Sequence, residues 1–190
     1  MCTKKSGLYT RTGDKGTSSL YNLERRSKDD PVFAALGDTD ELNSAIGIAR
    51  EYCNEESNLQ ERLAIIQSRL LDIGSAVATP PTKSKDNKLE RVKFDSGHVK
   101  LLESWIDQMD ADVPPLRNFI LPSGGLCATH LHLARSVCRR AERHCVALTS
   151  TDEVQDSVTK YMNRLSDFLF AAARYAAMKE GREEVSYKKE

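Results

Sequence analysis

No run of about 18 apolar residues occurs anywhere in the 190-residue sequence, so no segment is long and apolar enough to cross a membrane as a helix. Charge of one sign is not in excess: 28 Lys and Arg balance 28 Asp and Glu. That balance removes the footprint of a general nucleic-acid binder and any bulk attraction to anionic lipid. Glycine (10) and proline (6) are too few for an all-β fold that turns about every ten residues. The five cysteines, at positions 2, 53, 127, 138 and 145, are odd in number and contain no C-x-x-C pair. They read as reduced thiols of an intracellular protein, neither a disulfide framework nor zinc ligands. Residues 1–7 lack the apolar stretch of a secretory signal and are too short for a transit peptide. Work in an organelle therefore carries the expectation of a presequence beyond this chain. Also missing are a G-x-S-x-G elbow and a Walker A loop, so Ser/His/Asp hydrolysis and P-loop chemistry have no support.

What is present is helical rhythm. Leu59, Leu63, Ile66, Leu70, Ile73 and Val77 step by 4, 3, 4, 3, 4 until Pro80-Pro81. Val99, Leu102, Ile106 and Met109 mark a shorter helix that stops before Pro114-Pro115. Cys127, Leu131, Ala134, Cys138, Ala141, Cys145 and Leu148 repeat the step, as do Val154, Val158, Tyr161, Leu165, Phe168, Ala172 and Tyr175. Near-heptad spacing favours shallow packing angles, hence an all-α, up-and-down bundle of four to five helices. Asp30-Pro31 opens a helical turn, Gly37 interrupts it, and Thr39 then caps a helix reaching about Tyr52. Residues 82–96, rich in Lys, Asp and Ser, read as a solvated mobile loop. Residues 1–29 form an extended N-terminal arm and 30–190 the bundle, within one domain.

Two features exceed a plain bundle. Arg135, Arg139, Glu142 and Arg143 lie at i, i+4, i+7 and i+8 beside the apolar stripe, with Arg140 one residue round. Asn163, Asp167, Phe170 and Arg174 form a second polar stripe. These stripes are either a solvated, salt-bridged face or an anion site, for which forked guanidinium donors are suited. The Gly13-Asp14-Lys15-Gly16 turn is likewise either a hairpin or a cradle of backbone N–H groups with Lys15 adding charge, and Arg25, Arg26 and Lys28 cluster close behind. Asp40 either complements a helix dipole or pairs with the arginine stripe. His130 and His132, two apart on a helix, cannot chelate one metal together, and no metal site is read from the residues. Trp105 reads as packing.

Five segments in order carry a resemblance: Tyr9-Thr-Arg-Thr-Gly-Asp-Lys-Gly16, Thr39-Asp-Glu-Leu-Asn-Ser-Ala-Ile-Gly47, Phe119-Ile-Leu-Pro-Ser-Gly-Gly125, Arg139-Arg-Ala-Glu-Arg143 and Asn163-Arg-Leu-Ser-Asp167. Together they resemble the PduO-type ATP:cob(I)alamin adenosyltransferases from about position 8 to 189. The stretch from Arg26 to Asp30 and that from Ala173 to Gly181 are similar to the animal mitochondrial branch. The resemblance implies a homotrimeric five-helix bundle with active sites between subunits. It implies that cob(I)alamin attacks the 5′-carbon of ATP, giving adenosylcobalamin and triphosphate with Mg²⁺ assisting. By resemblance, Thr10, Arg11, Thr12, Gly13, Lys15, Ser18, Ser19 and Lys28 wrap the triphosphate from one subunit. Arg139, Arg140, Glu142, Arg143 and Asn163 complete the nucleotide site from the next. Asp40 pairs with Arg135 across the interface, Asp167 touches cobalamin, and Phe119 presses on the lower corrin face, displacing the axial base. Arg11 stands where the family usually has Lys, which keeps the charge.

The implied surroundings are the mitochondrial matrix, or otherwise the cytoplasm, with a cobalamin reductase and an adenosylcobalamin-dependent mutase as partners, and neither nucleic acid nor membrane. A non-catalytic adenosylcobalamin carrier, a nucleotide sensor and a purely structural bundle are the alternatives. A carrier has no need of a triphosphate cage, and a sensor binds ATP without releasing triphosphate.

Overall fold

The structure is a computed structural model that describes residues 7, 9, 11–53 and 58–189. A short antiparallel hairpin, β1 (Thr17–Ser19) and β2 (Arg25–Ser27), precedes, among the described residues, six α-helices: α1 (Pro31–Glu51), α2 (Leu59–Val77), α3 (Asp86–Arg91), α4 (Gly97–Asp112), α5 (Leu126–Thr149) and α6 (Asp156–Lys179). The five long helices form the all-α bundle that the periodicity predicts. Their adjacency runs α2–α1–α5–α6–α4. Arg62 closes the circuit between α2 and α4, donating to Gln108 at 2.6 Å and lying over the Trp105 ring.

The apolar stripes are the core. Leu63, Ile66 and Ile73 of α2, Cys127 to Cys145 of the α5 series and Leu165 to Ala172 of α6 are fully buried. Most of the stability of such helices comes from burying this face. Trp105 packs half-buried against Phe168.

Three expectations about α1 are corrected. Helix α1 begins at Pro31 and runs unbroken through Gly37; Asp30 caps it by accepting from the Val32 N–H at 3.0 Å. A single interior glycine costs only about 1 kcal/mol, which packing on α2 and α5 outweighs. Thr39 is therefore no cap: it is buried mid-helix and donates to the Ala35 carbonyl at 2.7 Å. Asp40 sits well inside the helix, so a role at the helix dipole falls away.

Residues 82–96 are no loose loop. A 3₁₀ turn (Pro81–Lys83) and α3 occupy much of the segment, and Val92 and Phe94 are buried. Lys83 binds Glu24 at 2.9 Å and Lys88 donates to the Tyr21 carbonyl at 3.2 Å, so the segment is tied to the hairpin.

Cys53 and Cys127 are joined as a disulfide, contrary to the all-thiol reading. The pair links the end of α1 to the start of α5, and spacing in sequence gives no sign of it. Cys138 and Cys145 are free and buried. Burial pushes both thiols up, Cys145 to about 12, so neither is a thiolate nucleophile near neutral pH.

Candidate active site

The glycine-bracketed loop is built by backbone that few residues tolerate. Arg11 (φ 58°) and Gly16 (φ +77°) are left-handed, and the Gly16 N–H donates to the Gly13 carbonyl at 3.1 Å. Arg25 stitches the loop to the hairpin, donating to the Thr12 carbonyl at 2.8 Å, Thr17 Oγ1 at 2.5 Å and Ser19 Oγ at 3.2 Å. Lys28 lies over Gly13: a Cβ there would meet its Cε and Nζ at 3.3 Å. Lys15 is exposed, Ser18 half-buried, and Arg11 stacks over the Tyr9 ring at 5.5 Å. Among the described residues no acid pairs with Lys15 or Lys28. Thr10 lies outside the described residues.

Arg26 does not belong to this cationic cluster. Its guanidinium is buried among Glu24 at 3.1 Å, Asp30 at 3.4 Å and Glu153 at 3.0 Å. Hydrogen bonds from Arg26, then Lys83, hold the Glu24 carboxyl down at about 2. This network fixes the hairpin to the turn after α5.

On α5 the predicted stripe divides. Arg139 is exposed and has no acid partner among the described residues. Arg143 donates to the Arg139 carbonyl at 3.0 Å, and Arg135 lies over the Phe170 ring at 5.3 Å. Arg140 instead turns to α1, where it binds Asp38 at 3.1 Å and also Glu41; His144 shares Asp38 at 2.7 Å. Sequence reading does not foresee Asp38 and Glu41 as partners of Arg140, although their i, i+3 spacing presents two carboxylates on one face. Glu142 accepts from Asn163 Nδ2 at 2.7 Å, joining the two polar stripes at the mouth of a cleft of about 490 Å³. Asp167 is exposed and paired with Arg164 at 2.7 Å.

Arg174, the last residue of the second stripe, is structural. It is buried, binds Glu184 at 3.0 Å and donates to the Pro114 carbonyl at 2.7 Å, clamping the C-terminal tail. That tail pairs with the segment before α5: the Tyr187 N–H donates to the Phe119 carbonyl at 2.7 Å and the Leu121 N–H to the Val185 carbonyl at 2.8 Å. The backbone of Phe119 is thus held on one side while its ring is 82% exposed. His130 stacks on Tyr52 and His132 sits edge-on to Phe170.

Asp40 is exposed at the rim of a cleft of about 330 Å³ between α1 and α2 with walls of Leu36, Leu70 and Leu71. Asn43 also lines it, and its buried Oδ1 has no hydrogen-bond partner among the described residues. Asp40 and Arg135 are not paired within one chain. Among the described residues no ion pair joins Lys15 or Lys28 to α5.

Residues 8–176 match the sequence profile of the family described as cobalamin adenosyltransferase. The chain is 52% identical over 183 residues to the corrinoid adenosyltransferase MMAB of Mus musculus, covering 96% of this chain and 77% of that protein. It is 41% identical over 185 residues to the corrinoid adenosyltransferase of Bacillus subtilis, covering 96% and 92%. Among solved structures it superposes on a single-residue variant of a PduO-type ATP:corrinoid adenosyltransferase from Lactobacillus reuteri complexed with cobalamin and ATP. The TM-score is 0.88 at 38% identity, with 96% of this chain and 99% of that one covered.

Proposed function

The chain belongs to the cobalamin adenosyltransferase family and transfers the adenosyl group of ATP to a corrinoid; from that premise we propose which residues do so and how. The carrying observation is that Lys15 and Lys28 on the loop and Arg139 on the stripe have no acid partner among the described residues, and no ion pair joins the two lysines to the stripe. Loop and stripe are each half of a polyanion site. A homotrimer supplies the other half, the loop of one subunit facing the arginine stripe of the next.

Cob(I)alamin uses its cobalt electron pair to form a bond to the 5′-carbon of ATP. The bond from that carbon to the triphosphate oxygen breaks, and triphosphate leaves. No proton is abstracted, so the site needs charge stabilisation and in-line alignment. Arg11, Thr12, Gly13, Lys15, Ser18, Ser19 and Lys28, with Thr10, wrap the leaving group. Arg139 and Arg143 meet it from the neighbouring subunit, Arg140 shapes that wall from its pairing with Asp38, and Asn163 orients Glu142. Mg²⁺ fits this arrangement, because a phosphate-bound Mg²⁺ needs only one or two carboxylates and Glu142 stands in the stripe. It would supply further charge neutralisation on the phosphates.

The cleft beside Asp40 suits an apolar ring fringed with amide donors, for which Asn43 Oδ1 is an open acceptor. Asp40 pairs with Arg135 of the next subunit. Phe119 closes on the lower corrin face and displaces the axial base, with Asp167 beside it. The mitochondrial matrix follows from likeness to the animal relatives, and a reductase and a mutase are the partners before and after the reaction.

The test incubates the purified chain with reduced cobalamin and Mg-ATP. Adenosylcobalamin and triphosphate in equal amounts support the reading, whereas ATP binding without product leaves a sensor and cobalamin binding alone leaves a carrier. A wild-type rate from Phe119→Ala removes that ring from the site.

A further inference from the structure

Another cleft, of about 320 Å³, lies between α2, the segment after α3 and the start of α4. Its chemistry is set by a short alternating stretch. Val92 and Phe94 turn into the core, so their neighbours Arg91, Lys93 and Asp95 turn outward and line the cleft. Across from them stands Arg69 of α2. Its Nη1 lies 3.3 Å from His98 Nε2, and its Nε lies 3.1 Å from Asp72.

The charges do not balance. Asp72 is engaged by Arg69, and Asp95 accepts from the Gly97 N–H at 2.8 Å, capping α4. Arg91 and Lys93 have no acid partner among the described residues. The cleft therefore holds three permanent cations and two carboxylates, with both carboxylates already used. Forked guanidinium groups, an ammonium and an imidazole around a concave space are the donor set of a phosphoryl oxyanion.

Its position narrows the source. Tyr21 and Ser75 line both this cleft and the apolar cleft beside Asp40, so the two adjoin. A corrinoid with its axial base displaced trails a nucleotide loop carrying one phosphodiester, a single negative charge outside the ring. We propose that the cleft of Arg69, Arg91, Lys93 and His98 binds a phosphate-class anion, and that this anion is the phosphodiester of the corrinoid's displaced nucleotide loop. The ring placement rests on the function proposed above; the anion site does not. Cations on the cleft wall hold the loop away from the cobalt and keep the base from returning.

The experiment compares the wild-type chain with R91A/K93A, two exposed positions outside the triphosphate and corrin contacts. Cobalamin and cobinamide, which lacks the nucleotide loop, are the two substrates, and inorganic phosphate is titrated separately by calorimetry. The expected result is a five- to tenfold rise in KM for cobalamin, with KM for cobinamide and for ATP unchanged. Equal KM values for cobalamin in both proteins, with phosphate binding lost only in the variant, would keep the anion site but overturn its assignment to the nucleotide loop. Unchanged KM together with unchanged phosphate binding overturns the whole proposal. A wild-type chain that makes no adenosylcobalamin strikes the function instead, and the phosphate titration still reads the cleft.

Discussion

Arg26 Nη1 lies 3.0 Å from Glu153 Oε2, an ion pair that spans 127 positions and fastens the hairpin to the turn after α5. The pair matters because the loop that proposed triphosphate contacts occupy hangs from this hairpin. Glu153→Gln is expected to raise amide exchange in β1 and β2 at least tenfold while the bundle helices stay protected. The acid dependence has a definite sign. Glu24 is held at about 2 against an ordinary 4.5, so its contribution is complete above that ordinary value and is lost as pH falls through the window toward 2. Hairpin protection in Glu24→Gln should lack this acid-dependent component.

Arg139→Ala is expected to lower turnover about 100-fold or more, the order of one lost transition-state charge contact. Circular dichroism and thermal midpoint should not move, because the side chain is exposed and holds no partner among the described residues. Arg139→Lys should recover part of the rate by restoring charge without the fork. A full rate from the alanine variant at saturating ATP takes Arg139 out of the site.

Gly124 and Gly181 are both left-handed, yet they should respond differently to alanine. At Gly124 (φ +94°) a methyl group runs into Ala177 and lies 3.3 Å from the Ala128 Cβ. At Gly181 (φ +62°) nothing lies within 4 Å. Gly124→Ala should cost about 3 kcal/mol in urea unfolding and Gly181→Ala about 1 kcal/mol, since only backbone strain remains there. Equal losses would show that the Ala177 contact relaxes freely.

The Cys53–Cys127 bond closes 74 positions of chain. The chain-entropy argument assigns such a closure about 4 kcal/mol. Adding a thiol reductant should lower the thermal midpoint, and Cys53→Ser should lower it equally and abolish the response to reductant. A midpoint indifferent to reductant in the wild type removes the bond from the stability of the folded chain.

Much of this architecture is legible in the sequence because it rests on local rhythm. The α2 stripe from Leu59 to Val77 needs only helical geometry, and every member is buried. Gly37 misleads because the sequence shows the breaker but not the packing of α1 on α2 and α5 that outweighs it. Val92 and Phe94 were hidden in a charged stretch because two buried residues are too few to set a period. The arginine stripe was visible, but its division was not: spacing puts Arg139 and Arg140 next to each other, and only α1 decides that Arg140 turns to Asp38. Arg174 looked like its neighbours Asn163 and Asp167 until the tail supplied Glu184. The cysteine pair depends wholly on how α1 meets α5.

That pair has a topological consequence. Together with the peptide backbone it makes a closed ring containing α2, α3 and α4. One peptide bond cut inside the ring separates nothing: the nicked chain stays a single covalent body until the sulfurs are parted. Asp86 and Asn87, exposed on α3, offer such a place. New ends or a foreign insert there would leave every long helix uninterrupted and keep the two pieces of the bundle leashed together through Cys53 and Cys127.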